Sequence, residues 1–308
     1  MGSWPMTGGT GMDGETRAMS GHRAHRGAAG LVLIVALFSA APALCVQQPE
    51  DAKDLPPWLA DRGRGMATSM FGTYVREHEW LVYAFYEYTK TTGFQYAPEE
   101  LGFTGKQEFN GTLKEHEGLL FLSHGFTDRL SFEVESALHA DATFNKSPAD
   151  LSGIPDPLKE SGLGDTEGQL RWRWSEETEH RPEMFSYFEL VLPLQKNKVL
   201  IGTQDWEYSL GFAAIKGHRW GTLTGRVALG YSESSVDVDE YAFEYLKRLS
   251  PRWRFYAAVE GHQTDEISAI LEGQVRLGRH VLLKVNSGFG LTSKAADVAP
   301  EIGLLFSF

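Results

Sequence analysis

From residue 78 onward the dominant pattern is alternation of apolar and polar positions, and no helical period of useful length appears. Residues 129–135, RLSFEVE, set Leu130, Phe132 and Val134 against Ser131, Glu133 and Glu135. Residues 169–174, QLRWRW, set Leu170, Trp172 and Trp174 against Gln169, Arg171 and Arg173. Residues 252–259 oppose Trp253, Phe255, Ala257 and Val259 to Arg252, Arg254, Tyr256 and Ala258. Near the end, Ile302, Leu304, Phe306 and Phe308 share one face. A period of two places such sets on opposite faces of a strand. Twelve segments read this way: 78–90, 116–126, 129–141, 166–174, 184–193, 205–215, 220–231, 240–248, 252–262, 266–277, 280–291 and 300–308. Most are about nine to thirteen residues long, the length a tilted strand needs to cross a bilayer.

The connections sharpen this. Thr127-Asp128, Lys216–Arg219, Ser250-Pro251 and Gly278-Arg279 are tight turns. About 25 residues separate the first two segments, and about 24 separate the third from the fourth. Short and long connections alternate, and the segment count is even, as in outer-membrane barrels. A soluble β-sandwich also alternates apolar with polar residues, but its strands average about five or six residues. The terminal aromatic Phe308 looks like the signal that the outer-membrane barrel-assembly machinery reads. The expected fold is therefore all-β: a transmembrane antiparallel up-and-down β-barrel of about 12 strands over residues 78–308, with outer-membrane lipids around it.

The N-terminal region reads differently. Residues 28–38, AAGLVLIVALF, form a strongly apolar run. Arg23 and Arg26 precede it and Ala41-Pro42-Ala43 follows it, the order of a secretory signal peptide. Pro42 and its small neighbours favour cleavage over an uncleaved membrane anchor. Residues 1–45 are thus expected to be a signal peptide, with Met19 a better start for one of ordinary length. A lipoprotein signal at Cys45 is disfavoured, because Pro42 and Leu44 do not suit a lipobox. Residues 46–77, rich in Pro, Gly and charges of both signs, read as a periplasmic leader too short for a plug domain.

Composition narrows the function. There are 29 Lys+Arg against 41 Asp+Glu, a net charge of −12, which argues against nucleic acid as a partner. The single cysteine excludes a disulfide framework and a multi-cysteine zinc site. With 33 Gly, 18 Phe, 11 Tyr and 8 Trp, the chain has the makeup of a barrel with aromatic girdles.

Four short motifs come in order: Leu122–Leu130 (LSHGFTDRL), Ser161–Asp165 (SGLGD), Glu189–Pro193 (ELVLP) and Asp205–Gly211 (DWEYSLG). Together they resemble the outer-membrane transporter family named for the meta-pathway of phenol degradation. The resemblance would cover about residues 78–308, and the GLGD element is its most specific part. It implies a barrel in the outer membrane that passes a small-molecule solute, apolar aromatic ones among them.

If the apolar stripe faces lipid, the other stripe faces the lumen. The inward set then mixes both signs, and mutual pairing would satisfy charges that are costly to bury alone. Arg171, Arg173, Arg252 and Arg254, with Glu189, Glu207, Glu260 and Glu272, are the candidates for a constriction. Asp237, Asp239 and Glu240 read as a solvated acidic loop. His124, His139 and His262 fall at different rims, so no nucleophile–base pair is expected. The expected function is an outer-membrane channel or transporter for small solutes, not an enzyme, with no catalytic residues, no metal and no cofactor. The alternative is a non-conducting structural or adhesive barrel. An outer-membrane hydrolase comes third.

Overall fold

A computed structural model describes residues 55–232, 235–262 and 266–308. The expected signal peptide and the start of the leader lie outside these residues. No helix among them is long and apolar enough to cross a membrane. Two short strands come first, β1 (Met66–Ala67) and β2 (Tyr74–Val75). Then follow β3 (Trp80–Tyr96), β4 (Phe109–Gly125), β5 (Leu130–Asn145), β6 (Leu158–Gly162), β7 (Thr166–Ser175) and β8 (Glu183–Val191). The rest are β9 (Glu207–His218), β10 (Gly221–Ser232), β11 (Ser235–Arg248), β12 (Trp253–His262), β13 (Glu266–Arg276), β14 (Val281–Gly290) and β15 (Ala299–Ser307).

Each barrel strand pairs antiparallel with its sequence neighbours, and β15 returns to pair with β3, with Leu304 opposite Ala84 and Phe306 opposite Val82. Trp80 and Phe308 exchange backbone hydrogen bonds at 3.0 and 2.9 Å at the seam. The result is a closed twelve-stranded barrel, because β6 and β7 share one place beside β5. Closure removes the two edges whose unpaired amides would be costly in hydrocarbon.

The two faces separate as the alternation predicts. Trp172 is 57% exposed, while its neighbours Arg171 and Arg173 are 0% and 6% exposed. Phe132, Leu170, Phe188, Leu210, Leu229, Phe243, Leu271 and Ile302 are likewise exposed, forming an apolar outer surface. A soluble monomer would not present so much apolar area to water. Trp80, Trp172, Trp174, Trp220 and Trp253 lie on this outer face towards the end with the short turns, where an interfacial girdle belongs.

Several strand boundaries differ from the sequence reading. Strands β3, β4 and β5 run for 17, 17 and 16 residues, well beyond a membrane crossing. Their extensions pack with Leu101, Ile154, Leu200 and Ile201 from the long loops around Tyr96 and Phe144. The presumed 25-residue loop is therefore mostly strand, stabilised by a local core that periodicity does not reveal. Likewise β11 begins at Ser235, not at residue 240. Val236 and Val238 alternate with Asp237 and Asp239, and the acidic residues had disguised a strand as a loop.

The leader differs most. Residues 57–76 lie against the inner wall at the short-turn end, where β1 and β2 form a hairpin. Thr68 N–H donates to Thr73 C=O at 3.0 Å, and Thr73 N–H to Met70 C=O at 3.0 Å. Gly72 at the tip has φ of 66°, and a Cβ there would lie 2.7 Å from Gln274 Nε2. Met66 and Val75 are 1% and 2% exposed and pack on Tyr83 and Phe121 of the wall. The expectation that so short a leader forms no plug is corrected: its hairpin needs no core of its own, because the barrel wall supplies one.

Candidate functional site

The lumen is built in two layers, and the leader belongs to the first. At the short-turn end, inward bases meet acids and leader backbone. Arg62 Nη2 reaches Glu183 Oε2 at 2.8 Å and Glu177 Oε2 at 3.0 Å, and Arg173 Nη1 reaches the same Glu183 oxygen at 3.3 Å. Ser69 donates to Glu133 Oε2 through both its amide and its hydroxyl at 2.8 Å. Arg171 Nε lies 3.3 Å from Glu133, and its Nη1 donates to Ala67 C=O at 3.1 Å. Across the barrel, Lys284 pairs with Glu272 at 3.4 Å and donates to Phe71 C=O at 3.2 Å. Between these walls the Arg226 guanidinium lies 4.3 Å over the Phe71 ring and pairs with Glu240 and Glu244 at 2.6 and 2.8 Å. Such burial of paired charge fixes the position of the leader; it is not by itself a source of net stability.

Beside the leader at this end lies a cavity of about 130 Å³, whose walls include Arg64, Arg254, Arg276, Arg279 and His280. Above the hairpin tip, towards the long loops, lies a larger cavity of about 580 Å³ with a floor of Ser69, Met70 and Phe71. Its walls carry Glu87, Glu135, Glu167, Glu189, Glu260 and Glu301. Carboxyl groups thus gather around the cavity towards the long loops, whereas beside the leader bases and acids are mixed.

The candidate constriction residues divide between these layers. Arg171 and Arg173 are buried and hold the leader, while Glu272 is buried at the wall of the larger cavity and reaches the leader only through Lys284. Arg254 borders the smaller cavity, while Glu189 and Glu260 border the larger one. Glu207 shares the inward face of Ser209 near the long-loop end. Arg252 is the exception: it lies exposed in the turn after Pro251, because β12 starts only at Trp253. Its assignment to the lumen is corrected on that ground.

Sequence reading missed two groupings. The leader ligands Arg62, Ser69 and Phe71 lie in a stretch with no periodicity to betray them. Ser209, Asp239 and His262 also meet in the lumen: the Ser209 hydroxyl donates to Asp239, and His262 Nδ1 lies 3.6 Å from the other Asp239 oxygen. The carboxylate sits between hydroxyl and imidazole, so the imidazole is not placed to take the hydroxyl proton. His124 instead stacks on Trp80 at 4.3 Å on the outer face, and His139 is exposed. Asp237, Asp239 and Glu240 belong to β11, and Glu240 is spent on Arg226. Among the described residues no group of three His, Cys, Asp or Glu side chains is arranged to hold a metal ion.

No family model matches the chain. No curated protein matches it either. Several solved structures share the barrel architecture at low identity. A KdgM porin in complex with disordered oligogalacturonate is 8% identical, with a TM-score of 0.47, over 74% of this chain and 99% of that one. The translocator domain of the autotransporter NalP from Neisseria meningitidis is 9% identical, with a TM-score of 0.35, over 75% and 88%. A mutant of the monoaromatic hydrocarbon channel TodX is 8% identical, with a TM-score of 0.38, over 74% and 89%.

Proposed function

We propose that the chain is an outer-membrane channel for small solutes, with the leader hairpin as a resident constriction. The observation that carries this reading is the pairing of an apolar outer surface with a charged lumen that keeps a 580 Å³ cavity above the hairpin. A barrel that only filled its interior would leave no such space. The expected secretory signal and the girdle of tryptophans support the compartment. The short-turn end, with the leader, would face the periplasm, and the long loops would face outward. An aromatic solute class rests on the sequence resemblance alone, and among the described residues no catalytic group is arranged to support enzymatic activity.

A second reading, a non-conducting structural barrel, is favoured by one specific observation: the leader is tied to the wall at Glu133, Glu183 and Lys284. Planar-bilayer recordings separate the two. The full chain should give discrete conductance steps, and removing residues 55–76 should enlarge them. Absence of steps from both proteins, with no solute flux in liposomes, would leave the structural reading standing.

A further inference from the structure

The outer half of the lumen holds more carboxyl groups than bases to pair with them, and it holds them in an unusual register. Glu301 of β15 stands directly opposite Glu87 of β3, which stands directly opposite Glu117 of β4. Glu135 of β5 stands directly opposite Glu167 of β7. Like charges in direct cross-strand register oppose pairing. None of these five carboxylates has a basic partner within ion-pair distance among the described residues, whereas Glu133, Glu183, Glu240, Glu244 and Glu272 all have one.

An independent observation points the same way. Tyr256 lines the cavity that Glu87, Glu135, Glu167 and Glu301 border, on a side chain 1% exposed, yet its hydroxyl has no hydrogen-bond partner. Glu135 Oε2, also in the cavity wall, has none either. Buried polar atoms are ordinarily satisfied, so orphaned atoms on side chains that line a cavity point to a partner missing there. The surrounding carboxylates decide its sign. Their spread over five strands decides its type: carboxylates so spaced suit several separate ammonium groups better than one dehydrated metal ion.

We infer that the outer lumen is a binding site for organic cations bearing more than one ammonium group, held between the Glu301–Glu87–Glu117 row and the Glu135–Glu167 pair. The hairpin tip of Ser69, Met70 and Phe71, flanked by Arg226 and Lys284, forms the floor that halts such a cation. This deepens the channel reading by naming a solute class and rests on that reading only for the passage of the solute.

The test is calorimetric titration of the purified full chain in detergent with spermidine, and separately with citrate. Spermidine should bind and citrate should not. The Glu87→Gln/Glu117→Gln/Glu301→Gln variant should weaken spermidine by about tenfold or more, as expected for loss of charge-assisted contacts. The lipid-face change Leu271→Ala should leave binding unaltered. Heat-modifiable migration of every variant establishes that each has folded. Spermidine binding that is absent, or equal in wild type and triple variant, overturns the site; carboxylates that merely share protons among themselves would give that result. Bilayer recordings then judge the channel separately. Conductance with a chloride preference and no block by spermidine also overturns the site. Spermidine binding without any conductance upholds the site and removes the channel.

Discussion

Glu183 shows how single residues act in this lumen. Its carboxylate is 1% exposed and serves two guanidiniums, Arg62 from the leader and Arg173 from β7. Removing one member of a buried charge pair leaves the other desolvated and unmatched, which costs about 3–5 kcal/mol. Glu183→Ala should therefore destabilise the barrel by that order in denaturant titrations in micelles, and should loosen the leader to protease. Glu176→Ala, which breaks the exposed pair with Arg129, should cost less than about 1 kcal/mol. Equal small losses for the two would mean that the leader is not held through Arg62. A gentler tie operates in the long loop after β14. There the hydroxyl and the amide of Thr92 donate to Asp297 and hold its carboxyl below the ordinary aspartate value of 3.8. That contribution is present above the ordinary value and lost as pH falls through the depressed one.

At the scale of elements, alternation assigns faces correctly but not their energetic weight. Leu271 lies in the middle of β13, 52% exposed on the outer surface. Leu271→Arg should cost about 2–4 kcal/mol, the usual penalty for a charge near the bilayer midplane. By periodicity alone Lys284 on β14 is a lumen residue whose change to Gln should be mild. In the folded chain it is 2% exposed and bridges Glu272 to the leader carbonyl of Phe71. Lys284→Gln should therefore cost an amount comparable to Leu271→Arg, and that cost should shrink when residues 55–76 are absent. Unfolding titrations of the five proteins, wild type and leaderless chain included, check this; a Lys284→Gln penalty unchanged by loss of the leader would show that Glu272 alone accounts for it.

For the whole molecule, closure is the cooperative event. Strands β15 and β3 lie far apart in sequence, yet their pairing seals the barrel through Phe306–Val82 and Ser307–Leu81, with Trp80 and Phe308 finishing the seam. Deleting Phe306–Phe308 opens two edges whose unsatisfied amides each cost several kcal/mol in hydrocarbon. The truncated chain should accumulate as a protease-sensitive species without the heat-modifiable band of the intact barrel. A truncated protein that still migrates as a heat-modifiable membrane species would show that the seam tolerates partial pairing.

The amino-acid pattern alone predicts the twelve crossings, their faces and three of the four tight turns; the fourth falls at Arg219-Trp220 because β9 runs on to His218. These depend on local periodicity and turn chemistry, and a bilayer rewards that periodicity at every strand. It also supplied most of the lumen charges, since Arg171, Glu189 and Glu260 follow from parity once the outer face is known. Tertiary structure alone decided what those charges meet. Arg171 and Arg173 bind a leader more than a hundred residues away in sequence, Arg252 falls outside the lumen because a turn holds it, and β3–β5 outrun the membrane because distant Leu200 and Ile201 complete their core. The acidic row of Glu301, Glu87 and Glu117 joins the two ends of the described barrel. No pattern along the chain encodes that juxtaposition, because it exists only once the last strand has found the first.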